Sequence, residues 1–192
     1  MVRILGGQFK GLSLVTPPSI RATSAKVRQA LFNILEPVVD GARVLDVFAG
    51  SGAFGCEALS RGASFAAFID ADTESVLSIR ENLQRLAEEL PRTSWRVVHQ
   101  DAEAGIRTVA GSGAPFDLIM LDPPYRSEEG KKALNAVVDC AILAPSGIVA
   151  VEHDQRTVYP IPLGPLRYST QHRYGDTVLS LYSAHPLGAH SE

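Results

Sequence analysis

The sequence lacks the features that mark membrane, secreted and metal-binding proteins. No stretch reaches the roughly 18 uninterrupted apolar residues of a membrane span. We expect no signal peptide, because no apolar segment lies between Arg3 and Lys10. The two cysteines, Cys56 and Cys140, lie far apart and match no metal-ligand spacing. We therefore expect two reduced, buried thiols, no metal, no membrane partner and a cytoplasmic location.

An excess of positive charge is also missing. The 192 residues carry a net charge of −3, which argues against a protein that coats nucleic acid. The charge is uneven, because residues 1–40 hold five basic residues against two acidic ones, a net +3, and the remainder carries −6. The basic end is either a local phosphate-binding face or an ordinary solvated surface, and charge alone leaves both interpretations open.

The sequence does contain a regular alternation of strand and helix patterns. Hydrophobic residues make up 45% and charged residues 20% of the chain, a globular balance without internal repeats. Between residues 43 and 153, strand patterns alternate with helical ones at the length of β-α-β units, which predicts a mostly parallel sheet with helices on both faces. Residues 166–174 and 177–183 are joined by "GD" and predict a closing antiparallel hairpin. The predicted fold is therefore α/β with a seven-stranded sheet.

A segment of different pattern precedes this alternation. Residues 2–5 and 12–16 predict two short strands around "GGQFKG". A helix then follows a cap at Thr23 or Ser24, and Pro37 is expected to end it. The predicted organisation is a hairpin-and-helix extension at 1–40, a domain at 41–184 and a frayed tail at 185–192.

The turn "LDVFAGSGAFG" is the first candidate site. It places Asp46 in a strand and Gly50, Gly52 and Gly55 where that strand turns into a helix, and Asp70 ends the next strand. Ligands bind at this edge of open parallel sheets, and an acid at Asp70 can accept from ribose hydroxyls. The glycines also match the dinucleotide pattern G-x-G-x-x-G. Asp46 favours S-adenosylmethionine over a dinucleotide, because a carboxylate under the turn suits the ammonium of the methionine tail and is an awkward neighbour for a pyrophosphate.

The second candidate site is "LDPPY", at the end of the fourth predicted strand. Pro123 and Pro124 hold the loop extended and offer carbonyls without N–H groups. Asp122 and a proline carbonyl form an acceptor pair, and Tyr125 adds a flat ring. Two acceptors on the hydrogens of an exocyclic amine free its lone pair for attack, and the carboxylate stabilises the charge that develops on nitrogen. The alternative is a surface turn without chemistry.

Three further positions have two interpretations each. Asp101 follows the third strand and either accepts from an adenine amino group or caps the next helix. His153, after Glu152 at the end of the fifth strand, is either a satisfied polar core residue or a substrate contact. Asp176 in "YGDT" either shapes the hairpin or takes part in chemistry.

The motifs together resemble a known family. "DVFAGSGAFGCEALSRGA", "LDPPY" and "RYGDTVLSLY", with "GGQFKG", "VRQALFNIL" and "VEH", resemble the RsmD family along nearly the whole chain. Its members are bacterial methyltransferases that modify the exocyclic N2 of one guanine in 16S ribosomal RNA with S-adenosylmethionine. The resemblance implies a Rossmann-like class I methyltransferase fold and 16S rRNA in the 30S subunit as partner. We expect the protein to be a monomer.

The resemblance also implies roles for residues at matching positions. The expected cofactor-binding residues are Asp46, Gly50, Gly52, Asp70 and Asp101. The residues expected to hold the guanine are Asp122, Pro123, Pro124 and Tyr125, of which Asp122, Pro123 and Tyr125 are the expected catalytic group. The residues expected to face RNA are Arg3, Lys10, Arg21, Thr23 and Arg28.

Other functions remain compatible with these residues. Another amino group, such as adenine N6 in DNA or another rRNA base, would fit the same loop. The glycine pattern also fits a nicotinamide-dependent oxidoreductase, although that function leaves "DPPY" unexplained. The basic region 1–40 also fits a non-enzymatic rRNA-binding assembly factor with a vestigial cofactor site.

Overall fold

A twisted central sheet organises the fold. The computed structural model describes residues 2–18, 25–91, 94–111, 113–125, 127–159 and 164–183. The strands are β1 Val2–Arg3, β2 Ser13–Leu14, β3 Arg43–Val47, β4 Phe65–Asp70, β5 Trp95–His99, β6 Phe116–Leu121, β7 Leu143–Asp154, β8 Arg167–Tyr174 and β9 Thr177–Ser183. The helices are α1 Ala25–Val39, α2 Ala53–Ser60, α3 Thr73–Leu86, α4 Ala102–Ala110 and α5 Glu129–Asp139.

The strand order confirms the predicted α/β class. The seven-stranded sheet runs β5-β4-β3-β6-β7-β9-β8, with parallel pairing from β5 to β7 and antiparallel pairing of β9 with both of its neighbours. The chain order reverses around β3, whose neighbours are β4 and β6, and such a reversal leaves a crevice at the carboxyl ends of the strands. The last strand lies between β7 and β8, so β8 forms the edge.

Apolar side chains cover the sheet on both faces, as a parallel sheet requires. Along β3, Val44 faces α1 and α2, whereas Leu45 and Val47 face α4 and α5. Helix α3 packs with α2 and the β1-β2 hairpin over Phe68. The fold is therefore a three-layer sandwich whose helices leave the carboxyl edge of the sheet accessible.

The N-terminal segment differs from the prediction at Pro37. Helix α1 continues to Val39 instead of ending at the proline. A proline in the last turn removes only one backbone hydrogen bond, and Leu35 and Val39 are buried and hold that turn against the core. The predicted caps, Thr23 and Ser24, lie outside the described residues.

The hairpin of β1 and β2 is shorter than predicted. The paired strands are Val2–Arg3 and Ser13–Leu14, and beyond them the N–H of Ile4 still donates to the carbonyl of Leu12 at 3.0 Å. The turn between the strands is also held by α2. The N–H of Gln8 donates to the carbonyl of Ser60 at 2.7 Å, and the N–H of Phe9 donates to the Ser60 hydroxyl at 2.9 Å. In the part of the chain that the structure describes, no helix is long and apolar enough to span a membrane.

Candidate active site

A cavity of about 720 Å³ lies at the carboxyl edge of the parallel strands. It is lined by residues that follow β3, β4, β5 and β6 and by Glu152 of β7. The carboxyl ends of parallel strands meet at one edge, so residues far apart in sequence are brought together here. The predicted site residues that line it are Gly50, Asp70, Asp101, Asp122, Pro123, Pro124 and Tyr125.

Asp70 is held in a fixed orientation at the end of β4. Its Oδ2 accepts from the N–H of Gly50 at 2.7 Å, and its Oδ1 accepts from the N–H of Asp72 at 2.9 Å. Each carboxylate oxygen has a second acceptor site. Gly50 adopts a φ of 55°, which favours glycine. The side chain is therefore preorganised to accept from a pair of vicinal hydroxyls.

Asp46 and Gly52 support the turn from beneath and do not line the cavity. Asp46 is 3% exposed, and its Oδ2 accepts from the N–H of Gly55 at 2.9 Å. Burial raises the pKa of Asp46 well above its ordinary value. Gly52 precedes α2 with a φ of 72°, and a Cβ on Gly55 would lie 2.2 Å from the Phe68 ring. These residues shape the turn and let α2 approach β4 closely.

The turn offers no glycine N–H to a pyrophosphate. The N–H of Gly50 donates to Asp70 and the N–H of Gly55 donates to Asp46. The N–H of Gly52 donates to the carbonyl of Ala49 at 2.7 Å. A dinucleotide-binding turn needs such donors for phosphate oxygens. This argues against the nicotinamide alternative.

The charge of the cavity also argues against a dinucleotide. Among the described lining residues, Lys132 is the one cation, and seven carry carboxylates: Asp70, Asp72, Asp101, Glu103, Asp122, Glu129 and Glu152. Such a site repels a pyrophosphate and attracts a positively charged ligand. S-adenosylmethionine carries a sulfonium and an ammonium, so the residues present fit it.

Asp101 serves as a helix cap and also lines the cavity. Its Oδ1 accepts from the N–H of Ala104 at 2.9 Å at the start of α4. The cap uses one of several acceptor positions on the carboxylate. Both interpretations of Asp101 are therefore compatible with the structure.

The loop after β6 presents its acceptors toward the cavity. Pro124 has a carbonyl that already accepts twice from Ser127, from the N–H at 3.3 Å and from the hydroxyl at 2.8 Å. A carbonyl oxygen has two lone pairs, so the proline carbonyl that can pair with Asp122 toward a ligand is that of Pro123. A Cβ on Gly130 would lie 2.6 Å from the Pro123 ring, so the glycine lets α5 pack directly against this loop.

Several lining residues were not predicted from the sequence. Phe48 adopts a φ of 60°, which is uncommon for a residue other than glycine and marks a strained turn at the site. Thr177, the first residue of β9, lies 3.1 Å from the hydroxyl of Tyr125. Glu129 and Lys132 come from α5. The motif "YGDT" contained a signal for Thr177, but the sequence gives no signal for the side chains of α5.

His153 and Asp176 have structural partners. His153 is 4% exposed; its Nδ1 lies 2.9 Å from the carbonyl of Asp154 and its Nε2 lies 2.8 Å from the Ser180 hydroxyl. Burial lowers the pKa of His153. Asp176 accepts from Gln155 twice, through its carbonyl at 3.0 Å and its Oδ1 at 2.9 Å. These contacts favour the polar-core interpretation of His153 and the hairpin-shaping interpretation of Asp176.

Two of the predicted RNA-facing residues are exposed. Arg3 in β1 and Lys10 in the following turn have exposed side chains. Arg21 and Thr23 lie outside the described residues. The exposed pair belongs to the hairpin that packs on α2 and α3.

Arg28 differs from the prediction, because it lies inside the protein. Its side chain is 4% exposed, its guanidinium donates to the carbonyl of Arg3, and its Nε lies 3.9 Å from Oε2 of the buried Glu57. A carboxylate from α2 compensates the charge, which allows the burial. Arg28 joins α1 to the hairpin and does not face RNA.

Within the described ranges, no group of three or more His, Cys, Asp or Glu side chains is arranged to hold a metal ion. Cys56 is buried and Cys140 partly buried, and both are free thiols. Burial raises the pKa of Cys56, which leaves it an unreactive core residue.

Comparison with known proteins identifies the family. A family model described as "Conserved hypothetical protein 95" matches residues 2–183. YlbH of Bacillus subtilis is 36% identical over 183 residues, which cover 94% of this chain and 98% of that protein. Ribosomal RNA small subunit methyltransferase D of Escherichia coli is 37% identical over 161 residues, 83% of this chain and 78% of that protein. The structure of yhhF from Escherichia coli superimposes with a TM-score of 0.82 at 33% identity, covering 96% of this chain and 99% of that one. The chain therefore belongs to this family, the RsmD family that its motifs resemble, and has the Rossmann-like class I methyltransferase fold.

Proposed function

We propose that the protein transfers a methyl group from S-adenosylmethionine to the exocyclic N2 of one guanine in 16S rRNA, within the assembled small subunit. The observation that carries the proposal is that the loop 122–125 lines the same cavity as Gly50 and Asp70. An amine acceptor site and a nucleoside-binding carboxylate thus face one space. The family supports the choice of rRNA, since its Escherichia coli relative is named a small subunit rRNA methyltransferase.

On the cofactor side, two carboxylates line the cavity, those of Asp70 and Asp101, and a third, that of Asp46, lies beneath the turn. Asp70 accepts from the ribose hydroxyls, and Asp101 accepts from the adenine amino group. Asp46 and Gly52 hold the turn that would support the methionine portion. S-adenosylmethionine supplies an activated methyl on its sulfonium. The protein contributes alignment of that methyl with the attacking amine.

The acceptor side orients the guanine amine. Its two hydrogens are accepted by the carboxylate of Asp122 and the carbonyl of Pro123, which reduces delocalisation of the nitrogen lone pair into the ring. As nitrogen attacks, positive charge develops on it and the Asp122 carboxylate stabilises that charge. A proton then leaves the nitrogen for Asp122 or water. Tyr125 stacks on the base, with Pro124 beside it, after the base has left its own stack.

The RNA-binding surface centres on the N-terminal hairpin. Arg3 and Lys10 are exposed there, and Arg21 and Thr23 follow in sequence. A net charge of −3 is low for tight binding of naked RNA, which supports the assembled particle as the substrate. We further propose that the protein acts as a monomer in the cytoplasm.

The test is methyl transfer to several acceptors measured side by side. Labelled S-adenosylmethionine is incubated with 30S particles that lack base methylation, with naked 16S RNA and with duplex DNA. The Asp122→Asn variant keeps the side-chain shape but removes the charge. We expect a loss of at least about 100-fold in kcat, by analogy with the loss of one preorganised electrostatic group. Asp139→Asn is the matched control, because Asp139 is exposed at the far end of α5.

The outcomes separate the alternatives. Label recovered as N2-methylguanosine from RNA, lost in Asp122→Asn and kept in Asp139→Asn, supports the proposal. Label on DNA alone would support the proposed methylation of an amine and contradict rRNA as the substrate. Binding of NADH without binding of S-adenosylmethionine would favour the oxidoreductase. Cofactor binding without transfer to any acceptor would favour the assembly factor.

A further inference from the structure

Tyr125 lies on a loop, and its ring must have a fixed orientation to stack on a base. Its side chain is 47% exposed, although it lines the cavity next to Asp122. An exposed aromatic side chain on a loop has rotational freedom in χ1 and χ2, and ordering it when a base binds weakens that binding. The hydroxyl of Tyr125 lies 3.1 Å from Oγ1 of Thr177, a hydrogen-bond distance.

Thr177 is held in place by its neighbours in the sheet. Its backbone pairs with Asp154 of β7 on one side and with Tyr174 of β8 on the other. The turn before it contains Gly175 with a φ of 65° and is tied to Gln155 by two hydrogen bonds. The β-branched side chain of threonine also has restricted χ1 freedom. Its hydroxyl therefore marks a fixed point at the rim of the cavity.

We infer that Thr177 is a positioning residue whose hydroxyl holds the Tyr125 ring in the orientation that stacks on the acceptor base. The inference rests on the proposed function, because it needs a planar base as substrate. The ring is oriented before the base arrives, so the base does not have to order it. Loss of the bond should raise KM for the RNA substrate about three- to tenfold, the worth of one hydrogen bond, with a smaller change in kcat.

Four variants isolate this bond. Thr177→Val has nearly the same shape but lacks the hydroxyl, whereas Thr177→Ser retains the hydroxyl. Tyr125→Phe keeps the ring and removes the other partner, and the fourth variant combines Thr177→Val with Tyr125→Phe. Thr170→Val serves as a control for the exchange of a partly exposed threonine in the same sheet.

The inference predicts how KM for the RNA substrate compares among the variants. Thr177→Val and Tyr125→Phe should raise KM by similar factors, and the double variant should be no worse than either, because both remove one bond. Thr177→Ser should lie within about twofold of wild type, and Thr170→Val should be unchanged. Affinity for S-adenosylmethionine should stay constant throughout. Multiplicative effects in the double variant, or an unchanged KM in Thr177→Val, would overturn the inference.

A second measurement separates this inference from the proposed function. The ring signals of Tyr125 are followed by NMR in the free protein with ¹³C-labelled tyrosine, and they are assigned by their loss in Tyr125→Phe. Thr177→Val should shift or broaden them, and Thr177→Ser should not. Absence of methyl transfer by the wild-type protein would refute the proposed function, whereas an unchanged ring signal in Thr177→Val would refute the contact itself.

Discussion

The buried cluster around Glu57 offers the sharpest test of the structural reasoning. Glu57 in α2 is fully buried, and its carboxylate accepts from the N–H of Leu5 at 2.7 Å and from Nε of Arg61 at 2.8 Å. Nε of Arg28 lies 3.9 Å away. One carboxylate thus joins α1, α2 and the N-terminal hairpin. The change to make is Glu57→Gln, which conserves the shape and removes the charge.

The expected loss in the free energy of unfolding comes mainly from the buried charge of Arg28, which Glu57→Gln no longer compensates. Arg28 is 4% exposed, and burial already lowers its pKa while Glu57 raises it. Removing one partner of a buried ion pair costs about 3–5 kcal/mol, because an uncompensated charge remains inside. Glutamine still offers one carbonyl acceptor, so we expect a loss of about 3 kcal/mol in the free energy of unfolding. For a domain of this size the melting temperature should fall by roughly 6–12 °C.

The assay is urea unfolding with Glu81→Gln as the matched control. Glu81 and Arg85 form the same i,i+4 pair, at 2.7 Å, but their side chains are 52% and 42% exposed. We expect this variant to lose about 0.5 kcal/mol or less. The slope of the unfolding free energy against urea should stay unchanged in both variants. Losses of equal size, or a loss below about 1 kcal/mol for Glu57→Gln, would refute the role assigned to the buried charge.

Two further outcomes test the turn under the cofactor site. Burial raises the folded-state pKa of Asp46 above its ordinary 3.8, so stability that is present below pH 4 is lost as the pH rises toward the folded pKa. The urea midpoint of Asp46→Asn should therefore rise relative to the wild-type midpoint as the pH is raised from 4. Parallel pH profiles of the two proteins would contradict this. Gly55→Ala should lose about 1–3 kcal/mol, because its Cβ would lie 2.2 Å from the buried Phe68 ring. Gly111→Ala, where the Cβ meets nothing closer than 3.6 Å, should leave the unfolding free energy nearly unchanged, and equal losses would contradict the steric argument.

The sequence by itself predicted the sheet and the strand ends that meet at the cavity. Alternating strand and helix patterns from Arg43 onward predicted a parallel sheet, because each pattern depends only on residues close together in the chain. Given such a sheet, Asp70 and Asp122 had to lie near each other, since both follow strand ends at one edge. The chemistry of "DPPY" also depends on adjacent residues, and it was therefore visible before the fold was known.

Only the tertiary structure decided which side chains are partners across the sequence. Arg28 looked like a surface cation, but Glu57 from another helix compensates its charge and buries it. Asp46 was expected to bind cofactor, and the folded chain adds that its Oδ2 accepts from the N–H of Gly55 beneath the turn. Thr177 lies beside Tyr125 because β9 inserts between β7 and β8. Hydrophobic periodicity and turn chemistry act over a few residues, whereas charge compensation and ring positioning depend on groups that only the folded chain brings within hydrogen-bond distance.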